Sequence, residues 1–132
     1  MTLGSGYVQA RTSKIKMITL SSTESEQVAL CEATTYARWA RKMLLDLGYE
    51  MKTPTKLYMD NKSAIWLTEN MGSFARNKHI MIRRNYTLEG IADKVVRPVH
   101  KEGIAMPSDM LTKVKVGSGL ARDMAGAGMT KL

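Results

Sequence analysis

Apolar residues recur along this chain in two rhythms, and the rhythm changes at a few sharp breaks. Lys14 to Leu20 alternates loosely and is rich in β-formers, which predicts a strand. From about Ser22 to Leu47 the spacing becomes helical. Ala29, Ala33, Tyr36, Ala37, Ala40, Leu44 and Leu47 make one apolar face, and Gly48 follows as a stop. Pro54 breaks the chain before a short strand, Leu57 to Met59, read as central. A helix follows from Asn61 to about Glu69, with Ala64, Ile65 and Leu67 turned inward. Residues 70–77 read as a loop. His79 to about Ile91 reads as a helix whose end Gly90 weakens. Lys94 to Val99 is β-rich, and Pro98 confines it to an edge or a strand end. A short helix begins near Asp109, after Pro107 and Ser108. The order is strand, helix, strand, helix, helix, strand, helix, which predicts an α/β domain over residues 1–116 with helices packed on a small mixed sheet. Residues 117–132 contain four glycines and little apolar periodicity, and read as a flexible tail.

Composition narrows the functions open to such a domain. The 132 residues carry 20 Lys plus Arg against 12 Asp plus Glu, a net charge of +8. That excess favours polyanion partners such as nucleic acid or an acidic membrane, with a solvated basic surface as an equal alternative. Cys31 is the single cysteine, so no internal disulfide forms; its apolar helical setting marks a small core residue rather than a nucleophile. No run reaches membrane-span length and no secretory signal is present, so an intracellular setting is expected, with no membrane partner.

The acidic residues are the candidate chemistry. Glu26 opens the long helix in SSTESEQVAL. Thr23 to Glu26 fits a capping box, with Glu26 folding back to the Thr23 amide. Ser21 to Glu24 fits the same box one register earlier, which leaves Glu26 free to face the sheet. Asp60 ends the short strand in LYMDNKSAI, where it either caps the next helix or sits beside the core and needs a cation or several donors. Asp109, in SDMLTK, is placed where a helix dipole favours an acid. Carboxylates at the ends of different elements are suited to holding magnesium if the fold brings them together. Arg76, Lys78, His79, Arg83 and Arg84 form a basic string that reads either as a phosphate-contacting surface or as a solvated helix face. Asn61 and Ser63 are candidate donors to a phosphate or a 2′-OH, with helix capping as the alternative. His100 reads as a surface residue at a strand end.

Four strings occur in one order: SSTESEQVAL, LYMDNKSAI, RNKHIMIR and SDMLTK. Together they resemble the RNase H domain of copia-type LTR retrotransposon polyproteins, where the corresponding strings resemble SSTEAEY, LYCDNQSA, TKHIDIRYH and ADILTK. The likeness runs from about Lys14 to Lys113. It implies an RNase H-like fold, a five-stranded mixed sheet with flanking helices. It also implies hydrolysis of the RNA strand of RNA/DNA hybrids with two magnesium ions, with Glu26, Asp60 and Asp109 as metal ligands. Glu26 rather than Glu24 matches the ligand because it directly precedes Gln27-Val28-Ala29-Leu30. The family's first catalytic aspartate lies in a string resembling YSDADWAG, and Gly4 to Lys14 resembles the segment after it. The resemblance therefore implies a domain incomplete at its N-terminus, lacking the first strand and its aspartate. Cleavage would then be impaired or absent, and the open sheet could self-associate. Three further departures point the same way: Gln27 stands for the family's tyrosine, Met81 for an aspartate, and Arg84-Asn85 for Tyr-His. A non-catalytic nucleic-acid-binding remnant is the rival reading.

Overall fold

The computed structural model describes residues 2–3, 6–7, 21–69, 78–102, 114 and 116–128. The elements are β1 (Thr2–Leu3), β2 (Gly6–Tyr7), α1 (Ser22–Asp46), β3 (Thr55–Met59), α2 (Lys62–Glu69), α3 (Lys78–Ala92), β4 (Val96–His100) and α4 (Gly117–Gly126). The chain divides into two compact units. Residues 17–100 hold α1, β3, α2, α3 and β4. The other unit, residues 1–16 with 101–132, holds β1 paired antiparallel to β2, and α4. The glycine-rich segment read as a flexible tail thus carries a helix. The strand expected over Lys14 to Leu20, the loop 70–77 and the helix at Asp109 lie outside the described residues.

Within residues 17–100, β3 and β4 pair in parallel, from Thr55 opposite Val96 to Met59 opposite His100. A parallel pair needs a crossover, and α2 with α3 supplies it. The expected α/β class is met by this pair and its three helices. Pro98 lies inside β4, opposite Leu57. Thr55 N donates to Val95 O at 2.9 Å. Continued along the parallel register, that pattern uses the backbone of residues 95, 97 and 99. The proline nitrogen therefore faces away from β3 and costs this pair no hydrogen bond.

The long helix begins and ends close to where the sequence places it, but its buried stripe is rotated. Gln27, Val28, Leu30, Cys31, Thr34 and Ala37 are buried, whereas Ala29 and Leu47 are exposed. Two polar side chains lie on the buried stripe because each has a partner there. Thr34 Oγ1 donates to Leu30 O at 2.8 Å, and Gln27 Nε2 donates to Ala64 O at 2.9 Å. Buried polar groups are tolerated on those terms. Leu30, Met59 and Ala64 form the core where α1, β3 and α2 meet, with Leu57 and Ile65 packed against it.

Both α1 and α3 end in Schellman turns. At the end of α1, Gly48 N donates to Leu45 O and Tyr49 N to Leu44 O, with Gly48 at φ +87°. At the end of α3, Lys94 N donates to Ile91 O and Val95 N to Gly90 O, with Lys94 at φ +56°. Gly90 is therefore not the stop. It is a buried position inside α3 where α1 comes close: a Cβ there would meet Thr34 Cγ2 at 2.8 Å.

Arginines tie the other elements to α1. Arg41 donates to Thr53 O at 2.7 Å and to Met51 O at 2.6 Å, holding the connection that leads into β3. Arg38 pairs with Asp93 at 3.1 Å and lies over the Tyr86 ring at 5.1 Å, linking α1 to α3.

Candidate functional site

The two acids that sequence leaves divided between capping and chemistry are both released from capping by a neighbour. Ser21 is the N-cap of α1, and its Oγ accepts from Glu24 N at 3.2 Å. The earlier capping register is the one that forms, so the reading of Glu26 as a cap is corrected. At α2 the cap is Asn61, whose Oδ1 accepts from Ala64 N at 3.1 Å. Asp60, one residue earlier, is left at the end of β3 with its carboxylate exposed.

Glu26 and Asp60 meet in an open groove of about 560 Å³ lined by Ser22, Glu26, Asp60, Asn61, Lys62 and His100. The carboxyl of Glu26 is held above the ordinary carboxylate range, first by burial and then by the negative charge of Asp60. Glu26 thus feels the charge of an acid 34 residues further along the chain. Among the described residues neither is hydrogen-bonded or ion-paired. Gln27, beside Glu26, bonds to Ala64 of α2 and so fixes the start of α1 against the helix that follows Asp60.

This donor set fits a hard cation in part. Two carboxylates facing one solvent-filled groove suit magnesium, which keeps several waters and takes one or two protein carboxylates. Among the described residues no group of three acids, histidines or cysteines converges as a metal site. Asp109, the third expected ligand, lies outside the described residues, as does Arg76.

The remaining expected contact residues are spread over two helices. Ser63 is exposed on α2, and Asn61 is engaged as its cap. Lys78 and His79 are exposed in the first turn of α3. Arg83 and Arg84 are half-buried, and the charge of Arg83 pulls the Cys31 thiol down. Burial nonetheless pushes the Cys31 thiol up, against the pull of Arg83. A buried, protonated thiol agrees with its reading as a core residue. His100 is the exposed last residue of β4, as read, and it also lines the acidic groove. Its parallel pairing with Met59, next to Asp60, puts it there; no local signal in the sequence carries that register.

The chain is similar to segments of retrovirus-related Pol polyproteins from plant transposons. It is 33% identical over 113 residues, 86% of its length, to the Pol polyprotein from transposon TNT 1-94 of Nicotiana tabacum. It is 29% identical over 111 residues, 84% of its length, to that from transposon RE1 of Arabidopsis thaliana. The corresponding protein from transposon RE2 of the same plant is 28% identical over 111 residues. These polyproteins are its homologues, and the chain spans only 8% of the length of each. No family model matches the chain, and no solved structure does. Among the described residues no helix is long and apolar enough to cross a membrane.

Proposed function

We propose that this chain is the RNase H-like domain of a copia-type retroelement polyprotein, of the class that hydrolyses the RNA strand of RNA/DNA hybrids with magnesium. The observation that carries the reading is the groove lined by both Glu26 and Asp60, two uncapped carboxylates from different elements. Homology to Pol polyproteins supports the retroelement origin. Glu26 and Asp60 would hold the metal, with Asp109 as the third acid. Magnesium, when bound, supplies a Lewis acid that activates water and stabilises the leaving oxygen. The protein's own part is to leave Glu26 and Asp60 uncapped and to align them. Ser21 and Asn61 do this by taking over the caps, and Gln27 by fixing α1 against α2.

Nucleic acid would be held by Asn61, Ser63, Arg76, Lys78, His79, Arg83 and Arg84. Lys78 and His79 stand at the positive end of the α3 dipole, where an anion is favoured. The sequence holds no acid before Glu24. Glu26, Asp60 and Asp109 are the acids of this chain that match the family's ligands. The net charge of +8 supports the second reading, a binding module without catalysis.

Incubating the 132-residue chain with a labelled RNA/DNA hybrid and magnesium tests both. Cleavage that falls to background in Asp60→Asn supports the nuclease. Retention of the hybrid that weakens steeply with salt, without cleavage, supports the binding module. A chain that neither cuts nor retains the hybrid rules out both.

A further inference from the structure

The helix that follows Asp60 carries an exposed tryptophan that none of the chemistry above uses. Trp66 is 53% exposed on α2. Burial along this helix divides its faces: Ala64 is fully buried and Ile65 packs on the core, whereas Lys62, Ser63 and Trp66 point outward. Residues three and four apart on a helix are neighbours, so Trp66 lies one turn beyond Lys62 and Ser63 on the same side. Lys62 itself lines the groove of Glu26 and Asp60. The outward face of α2 therefore runs from the acidic groove to an ammonium group and then to an indole.

We propose that Trp66 and Lys62 form a contact for the nucleic-acid strand adjoining the carboxylate groove. The indole packs against a sugar or base face and Lys62 meets a phosphate. The inference rests on the proposed function for the nature of the ligand, and adds Lys62 and Trp66 to the contact residues named there. The face it uses is mixed. A protein partner selects a contiguous apolar patch with little charge at its centre. A nucleotide strand selects an aromatic surface with a cation beside it. The turn before Trp66 supplies Lys62 and Ser63, which matches the second pattern. The chain's excess of 20 basic over 12 acidic residues adds the long-range attraction that brings a polyanion to this face.

The chain has two tryptophans, so Trp39→Phe leaves Trp66 as the only indole reporter. The test titrates this variant with an RNA/DNA hybrid without added divalent ion, following indole emission and the anisotropy of a labelled hybrid together. The expected result is a quench or shift of emission that saturates at the same hybrid concentration as the anisotropy. In the otherwise unaltered chain, Trp66→Ala then weakens binding roughly fivefold or more, while Trp66→Phe keeps most of the affinity. Binding with unchanged emission, and unaltered affinity in Trp66→Ala, overturns this contact and leaves the proposed function standing. No binding by anisotropy overturns both. An emission shift that follows protein concentration alone assigns the indole to self-association and also overturns the contact.

Discussion

Thr34 and Gly90 meet where α1 and α3 come closest, and neither residue type announces this. Thr34 is fully buried, β-branched, and fixed by its bond to Leu30 O, so its methyl group has no room to give way. Gly90→Ala gains about 1 kcal/mol of helix propensity. It also drives a methyl group to 2.8 Å from Thr34 Cγ2, an overlap worth about 1–3 kcal/mol. A net loss is expected in urea denaturation. In a Thr34→Ser background, which removes Cγ2, the same change should become neutral or stabilising. Four residues on, Lys94 holds φ +56° where the turn favours glycine. Lys94→Gly should therefore stabilise the fold by about 0.5–1 kcal/mol. Gly48 marks the stop of α1, whereas Gly90, read as weakening the end of α3, lies inside that helix. The actual stop is written on a lysine, and Gly90 is kept small by Thr34, 56 residues earlier in sequence.

At the scale of elements, the helices were legible because their periodicity is long and their breaks are strong. The orientation of α1 was not. Its apolar alanines suggest one face, but the face that packs includes Gln27, whose amide nitrogen reaches Ala64 O of another helix, and Thr34, whose hydroxyl bonds back to Leu30 O within α1. The candidate site was legible in a similar partial way. Sequence presents Glu26 and Asp60 as caps or ligands, and the balance is decided by competition from Ser21 and Asn61 for the same orphan amides. That His100 joins them depends on the β3–β4 register and was not legible locally. Gln27 is the clamp between the two capped helix starts. Gln27→Ala removes a bond to Ala64 O from a buried site, at a cost of about 1–2 kcal/mol. The loss should appear as a lower thermal midpoint. It should also appear as greater protease sensitivity near the start of α2, since that helix loses its polar tie to α1.

For the molecule as a whole, the groove sets stability against chemistry. Burial and the charge of Asp60 raise the Glu26 carboxyl in the folded chain, whereas the unfolded chain titrates near the ordinary 4.5. The folded state therefore binds the proton more tightly, and stability falls as pH rises from the unfolded to the folded value. Above the folded value the acid is ionised in both states and the full penalty applies. Glu26→Gln should then make the metal-free protein more stable at neutral pH, and the advantage should shrink as the pH is lowered toward 4.5. Magnesium has the opposite effect on the pair. It requires ionised ligands and favours only the folded state, so at ten times its dissociation constant it should stabilise the unaltered chain by about 1.4 kcal/mol. Glu26→Gln and Asp60→Asn should each lose that gain. Thermal unfolding of the three proteins at two pH values, with and without magnesium, separates a cation site from two acids that merely lie close. In the second case the neutral-pH gain of Glu26→Gln remains, but magnesium shifts none of the three midpoints.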